Sequence, residues 1–235
     1  MIYSSPQFCY HRHVVPSRTA PKRTVASRTA TPHASSADDD RQASKGEQTR
    51  LAVLTHAIER FGREGYRATS VADISRDAGV GGTVAYAYFP NKEALFLAAL
   101  DTDAAAVINE GLSQLTSGAP AEDWRETLVI TLVDALDRHP LARRVLAGLE
   151  PDVTERVQSI PAMLELRAAV VERLRADQAR GTVRRDIDPV AVGNGAVTII
   201  LTVLMSVLQF GRGGVDEYGA DVMAVFAAAL EPPAG

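Results

Sequence analysis

A chain of 235 residues with 46% apolar content has room for one or two domains and a substantial core, and with aromatics at only 6% it favours packed helices over sheets. Its single cysteine, Cys9, excludes a disulfide framework and a cysteine-based zinc site, and makes a reducing cytoplasm the simplest compartment. The net charge of −4 is uneven: residues 96–235 carry twelve basic and twenty acidic side chains, so the acidity belongs to the C-terminal half and leaves the N-terminal half free to meet an anion.

Residues 1–45 lack hydrophobic periodicity and are rich in Ser, Thr, Pro, Ala and Arg, the composition of a disordered segment. The first 37 carry Arg12, Arg18, Lys22, Arg23 and Arg28 and no acid. Three readings stay open: a solvated basic tail, an arm that reaches DNA phosphates, or a start placed too early. No apolar run of the kind a secretory signal needs is present, and the prolines argue against a transit helix. Cys9, His11 and His13 lack a fourth ligand, so no metal is expected there.

Helix formation is expected from about Gly46 to Glu64, where Leu51, Leu54, Ile58 and Phe61 recur at three- and four-residue steps. Gly65 is placed to end that helix. Thr69 and Ser70 are good N-caps, and Ser70 with Asp73 approximates a capping box. Ser70 to Phe89 reads as two short helices joined by a tight turn. Val71, Ile74 and Ala78 point inward on the first, Gly79 supplies the turn, and Thr83, Val84, Tyr86 and Tyr88 lie on the second. That is a helix-turn-helix, whose second helix enters the DNA major groove. Pro90 or Asn91 then opens a helix with Leu95, Phe96, Ala99 and Leu100 on its apolar side. Lys92 sits in its first turn, where the helix dipole disfavours a cation, which points to an outside anion such as phosphate.

Residues 50–100 resemble the TetR family of ligand-responsive transcriptional regulators. The resemblance is carried by Phe61, Gly65-Tyr66, Thr69-Ser70-Val71, Asp73-Ile74, Ala78-Gly79-Val80, Tyr86, Tyr88-Phe89, Lys92-Glu93 and Leu95. After the tail over 1–45, it implies an all-α fold: a three-helix DNA-binding domain over 46–92 with the helix-turn-helix at 70–89, and a helical ligand-binding and dimerisation domain over 93–235. It places base-facing positions on Gly82, Thr83, Val84 and Tyr86, phosphate positions on Thr69 or Ser70, Tyr88 and Lys92, and inward positions on Ala85 and Phe89. Two departures matter. Gly81 stands where the family usually has Ser or Thr, and Thr83-Val84 where it has Gly-Thr. Two consecutive glycines weaken the helix start, by roughly 1 kcal/mol per interior glycine. Val84 cannot donate a hydrogen bond but can pack on a thymine methyl.

Beyond residue 100 the pattern stays helical. Asp101–Leu115 continues the helix after Lys92, and 116–121 break it. Glu122–Arg138 carries Trp124, Leu128, Leu132 and Leu136 along one stripe. Pro140 opens a short helix to Leu149, Pro151 opens another segment, and Pro161 starts a long helix to Ala179, ended by Arg180-Gly181. Pro189–Phe210 has no charged residue. Its length would permit a membrane span, but Asn194, two glycines, three hydroxyls and Gln209 interrupt it, so a helix buried on several sides is expected. Gly211–Gly214 reads as a turn before a last helix, Tyr218–Leu230. The resemblance implies a homodimer through these two final helices. It also implies an effector pocket among the central helices, for which Trp124, His139, Met163, Asn194 and Thr198 are candidates, although each also fits a plain core, packing or helix-end role.

The function these features imply is a dimeric repressor that a small molecule releases from a palindromic operator. An activator, or a regulator of the same fold without a ligand, remains the alternative. No phosphate-binding glycine loop or H-E-x-x-H spacing is present, and the only cysteine, Cys9, lies in the tail, so no enzyme, cofactor or metal is expected.

Overall fold

The computed structural model describes residues 35–116, 124–211 and 213–232. The basic arm over 1–34 and most of the break at 116–121 lie outside the described residues. Among those described there is no strand. The elements are α1 (Ser35–Ala68), α2 (Val71–Asp77), α3 (Val84–Tyr88), α4 (Lys92–Thr116), α5 (Trp124–Leu136) and α6 (Pro140–Leu146). A 3-10 helix (Pro151–Ser159) follows, then α7 (Pro161–Arg180), α8 (Pro189–Phe210) and α9 (Gly213–Leu230).

Helix α1 starts well before Gly46 and runs through the expected stop, with a kink at Gly65, where φ is 86° and ψ 169°. Its buried stripe is Val53, Leu54, Ala57 and Phe61. Leu51, expected on that stripe, is 50% exposed. The face is set by the 53/57/61 row, and Leu51 lies off it. Phe61, Tyr66 and Phe96 form an aromatic cluster with centroids 5.0–6.2 Å apart, which fastens the end of α1 to the start of α4.

Helix α4 is central. Leu95, Phe96, Ala99, Leu100, Val107 and Ile108 are all buried, and the helix packs against α5, α6 and α7. One charged residue, Asp103, sits in the same buried stripe. Its Oδ2 accepts the backbone N–H groups of Leu141 and Ala142, both at 2.9 Å, and its Oδ1 lies 2.8 Å from His139 Nδ1. A carboxylate from α4 thus caps the N-terminus of α6, where the free N–H groups and the helix dipole favour negative charge. Glu110, one turn-pair further along α4, lies 3.3 Å from His139 Nε2 and accepts from Arg138, whose guanidinium holds the carboxyl below its usual range.

The C-terminal half follows the expected helices with three corrections. Helix α6 ends at Leu146, and Gly148 turns the chain with φ 76°. Helix α9 begins at Gly213, earlier than expected, after Gly211 turns the chain with φ 89°. Helix α8 is long and apolar enough to cross a membrane by composition, but within the fold it packs on α5, α6, α7 and α9. It is buried along one stripe, Val197, Ile200, Leu204 and Val207, rather than on several sides. Val190 and Ile199 remain exposed, as does Phe210 at its end.

Because Asp103 serves two backbone donors and a histidine while buried, Asp103→Ala is expected to lower stability by about 2–4 kcal/mol. Urea denaturation measures it: the midpoint should fall with little change in slope, and an unmoved midpoint would remove the cap from this account.

Candidate nucleic-acid interface

The helix-turn-helix is built from local hydrogen bonds. Ser70 caps α2: its Oγ accepts the Asp73 N–H at 3.1 Å and donates to Asp73 Oδ2 at 2.6 Å. That hydroxyl, and then Arg76, hold the Asp73 carboxyl below its usual range. Ala78 closes α2, and Gly79, with φ 67°, turns the chain in the left-handed region that favours glycine. The Val80 N–H donates to Ser75 O at 2.9 Å and the Val84 N–H to Gly81 O at 2.9 Å, which complete the turn. Arg60 of α1 ties the pair in place. Its Nε donates to Asp77 Oδ2 at 2.7 Å and its Nη1 to Glu64 Oε2 at 3.0 Å. The bond to Asp77 lowers that carboxyl below its usual range and raises the guanidinium. Arg60 is therefore committed to carboxylates and is not offered to an external anion.

Helix α3 is five residues long and starts at Val84. Thr83, expected inside it, is the residue ahead of it and makes no side-chain cap. The two preceding glycines are exposed, with nothing near where a Cβ of Gly82 would stand. Ala85 and Phe89 are buried at 0% and 5% and hold α3 to the core. Gly82, Thr83 and Tyr86 are exposed and Val84 is half-buried. A single surface therefore presents a methyl-bearing side chain, a free-standing threonine hydroxyl and a phenol beside bare backbone.

The expected phosphate positions separate. Ser70 is exposed at the start of α2. Thr69 is not available: it is 2% exposed and its hydroxyl donates to Gly65 O at 2.8 Å. The α1 kink leaves that carbonyl without its helical partner, and Thr69 satisfies it. Tyr88 is half-buried with its hydroxyl beside Gly46 of α1. Lys92 is the first residue of α4, and its Nζ lies 4.4 Å from the centroid of the Tyr66 ring. The cation at the helix start thus has an internal partner in addition to the outside anion expected for it. A ring face leaves the ammonium hydrogens free to bond. Among the described residues no carboxylate pairs with Lys92, whereas Arg50, Arg63 and Arg76 each have one.

Of the five effector candidates, only Met163 lines the apolar cavity among the helices. That cavity, of about 50 Å³, is walled by apolar side chains from α4, α5, α6, α7 and α8 and the 3-10 helix. Trp124 Nε1–H donates to the buried Asp177 at 3.0 Å, which fixes the indole in the α5–α7 contact. His139 belongs to the Asp103–Glu110 cluster. Asn194 and Thr198 lie on the α8 side that meets Arg167, whose guanidinium donates to Asn194 O at 3.0 Å. The indole of Trp124 and the imidazole of His139 are spent on carboxylates of neighbouring helices, while the Thr198 hydroxyl donates to Asn194 O within α8.

Sequence reasoning missed the join between the helix-turn-helix and the helices behind it. At Gly62 of α1 a Cβ would stand 2.7 Å from Pro140 Cβ, so only glycine lets α1 and α6 approach this closely. At the Gly65 kink the Tyr66 N–H donates to Glu150 Oε1 at 3.0 Å, and the same oxygen accepts from Arg144 Nε at 2.8 Å.

Residues 53–99 match the family model for bacterial regulatory proteins of the tetR family. No curated protein matches the chain. Among solved structures, a TetR-family transcriptional regulator from Pectobacterium atrosepticum is similar at 18% identity and TM-score 0.62, over 81% of this chain and 98% of that one. A candidate TetR-family regulator from Mesorhizobium loti MAFF303099 is 20% identical with TM-score 0.63, over 80% and 99%. A candidate transcriptional regulator from Saccharomonospora viridis, solved in complex with choline, is 20% identical with TM-score 0.59, over 79% and 99%. At these identities the likeness is one of fold.

Proposed function

We propose that this chain, whose residues 53–99 carry the TetR-family regulatory segment, is a dimeric DNA-binding repressor that a small molecule releases from a palindromic operator. The observation that carries the DNA-binding part is the exposed surface of Gly82, Thr83, Val84 and Tyr86 on a helix held down by Ala85 and Phe89. Tyr86 and Val84 meet base edges. Ser70, Tyr88 and Lys92 meet phosphates, Ser70 through the start of α2 and Lys92 through the ammonium hydrogens that Tyr66 leaves free. Cytoplasmic residence follows from this role.

Two copies are needed because each supplies one reader, and half-sites must lie about one helical turn apart to present successive major grooves on one face. The pairing surface is the outer side of α8 and α9, where Ile199 and Val225 are exposed. A four-helix bundle with the partner's copies would cover them.

The release mechanism runs through α6. Ala142, Val145 and Leu146 wall the internal cavity on one side, while Pro140 at the start of the same helix touches Gly62 of α1. A ligand that pushes on the cavity wall moves α6, and with it the α1 surface that carries the reader. DNA affinity then falls by the ligand's differential affinity for the two spacings. The choline complex of the S. viridis regulator supports a ligand in this fold.

Tyr86→Ala is expected to abolish selective operator binding and leave the dimer intact. Lys92→Gln is expected to weaken binding to all sequences and to flatten the salt dependence by about one unit of slope. Gel shifts over a salt series read both; unchanged affinity in the first variant, or a changed base preference in the second, would contradict the roles given. Ile199→Asp is expected to yield a folded monomer by light scattering and circular dichroism, because its side chain faces outward; an intact dimer would place the interface elsewhere.

A further inference from the structure

Next to the apolar cavity lies a second, larger cleft of about 260 Å³ between α5, α6 and the end of α8. Leu136 and Leu204 line both spaces, so two leucine side chains are the partition between them. The inner space is walled only by apolar side chains. The outer one carries two charged residues, Asp137 and Arg143, which pair with each other at its rim. Together the two spaces reach roughly the 300 Å³ at the low end of small-molecule sites. The two adjoining spaces are therefore amphipathic together, one walled by apolar side chains and the other bearing a charged pair.

We infer that the effector is a slender alkyl amphiphile with an uncharged head that accepts hydrogen bonds, such as an alkyl amide. Its tail passes between Leu136 and Leu204, and its head rests on Arg143. This rests on the reading of the helical half as an effector-binding module. The chemistry follows from the walls. A polar atom in the inner space would lose its water hydrogen bonds and find no partner, so the buried part of the ligand is hydrocarbon. Its tail must pass Leu136 and Leu204, which line both spaces, and a linear chain is slimmer there than a fused ring system. At the mouth, one guanidinium has more N–H donors than a single carboxylate uses, so Arg143 keeps donors for a carbonyl or hydroxyl oxygen. An anionic head is disfavoured, because Asp137 already neutralises Arg143 and would repel a second carboxylate.

The test uses the full chain and isothermal titration calorimetry with octanamide, sodium octanoate and acetamide. Octanamide should bind, octanoate should bind about tenfold more weakly or worse, and acetamide, which has the head alone, should give no heat. Arg143→Met should weaken octanamide by about tenfold with an unchanged melting temperature, since Arg143 is half-exposed at the rim. Leu136→Trp, which fills the partition, should abolish binding; should that variant not fold, Arg143→Met still decides. Octanoate binding as tightly as octanamide, full affinity in Arg143→Met, or no binding of octanamide would each overturn the inference. A parallel gel shift on operator DNA separates the two readings. DNA binding without any octanamide binding removes this ligand class only, whereas octanamide binding that leaves the DNA complex intact removes effector release only.

Discussion

The structure turns on the start of helix α6, which is held from two sides. From behind, the buried Asp103 carboxylate of α4 accepts the Leu141 and Ala142 N–H groups and faces His139. From the front, Pro140 lies against Gly62 of α1 at a distance that no larger residue allows. The first contact is electrostatic and directional, since free N–H groups at a helix start attract a carboxylate. The second is steric. A short helix pinned in this way moves as a unit with its neighbours, which is what a connection between a cavity and a DNA reader needs. The Tyr66–Glu150–Arg144 bonds make a second join at the α1 kink.

The local architecture of the reader was legible in the sequence because its determinants are local. Ser70 with Asp73, and Gly79, act over spans of a few residues and are legible from spacing, while the inward places of Ala85 and Phe89 came from the family resemblance. The long helices were legible for the same reason, through their apolar rows and the prolines that open them. Leu51 shows the limit of periodicity: two rows were available on α1, and only packing decides that Val53 and Ala57 face inward. Thr69 shows another limit. Its residue type suits a phosphate contact, but the kink at Gly65 exposes a carbonyl that its hydroxyl satisfies instead.

The proposed effector site was hardly legible in the sequence. Of the candidate residues only Met163 lines the cavity; Trp124 and His139 bond to carboxylates on other helices, Thr198 is exposed, and the cavity walls are ordinary aliphatic side chains that nothing in the sequence sets apart. The better signal was Asp103, a carboxylate inside the buried row of α4. A charge in that position must have a partner, and its partner is the helix that forms one wall of the cavity.

Paired reading of DNA is the central claim, and selection of the purified chain against random double-stranded DNA tests it most directly. The account predicts an enriched palindrome whose half-sites lie about one helical turn apart, lost in the Tyr86→Ala variant. An enriched single half-site, or retained DNA with no common motif, would contradict it.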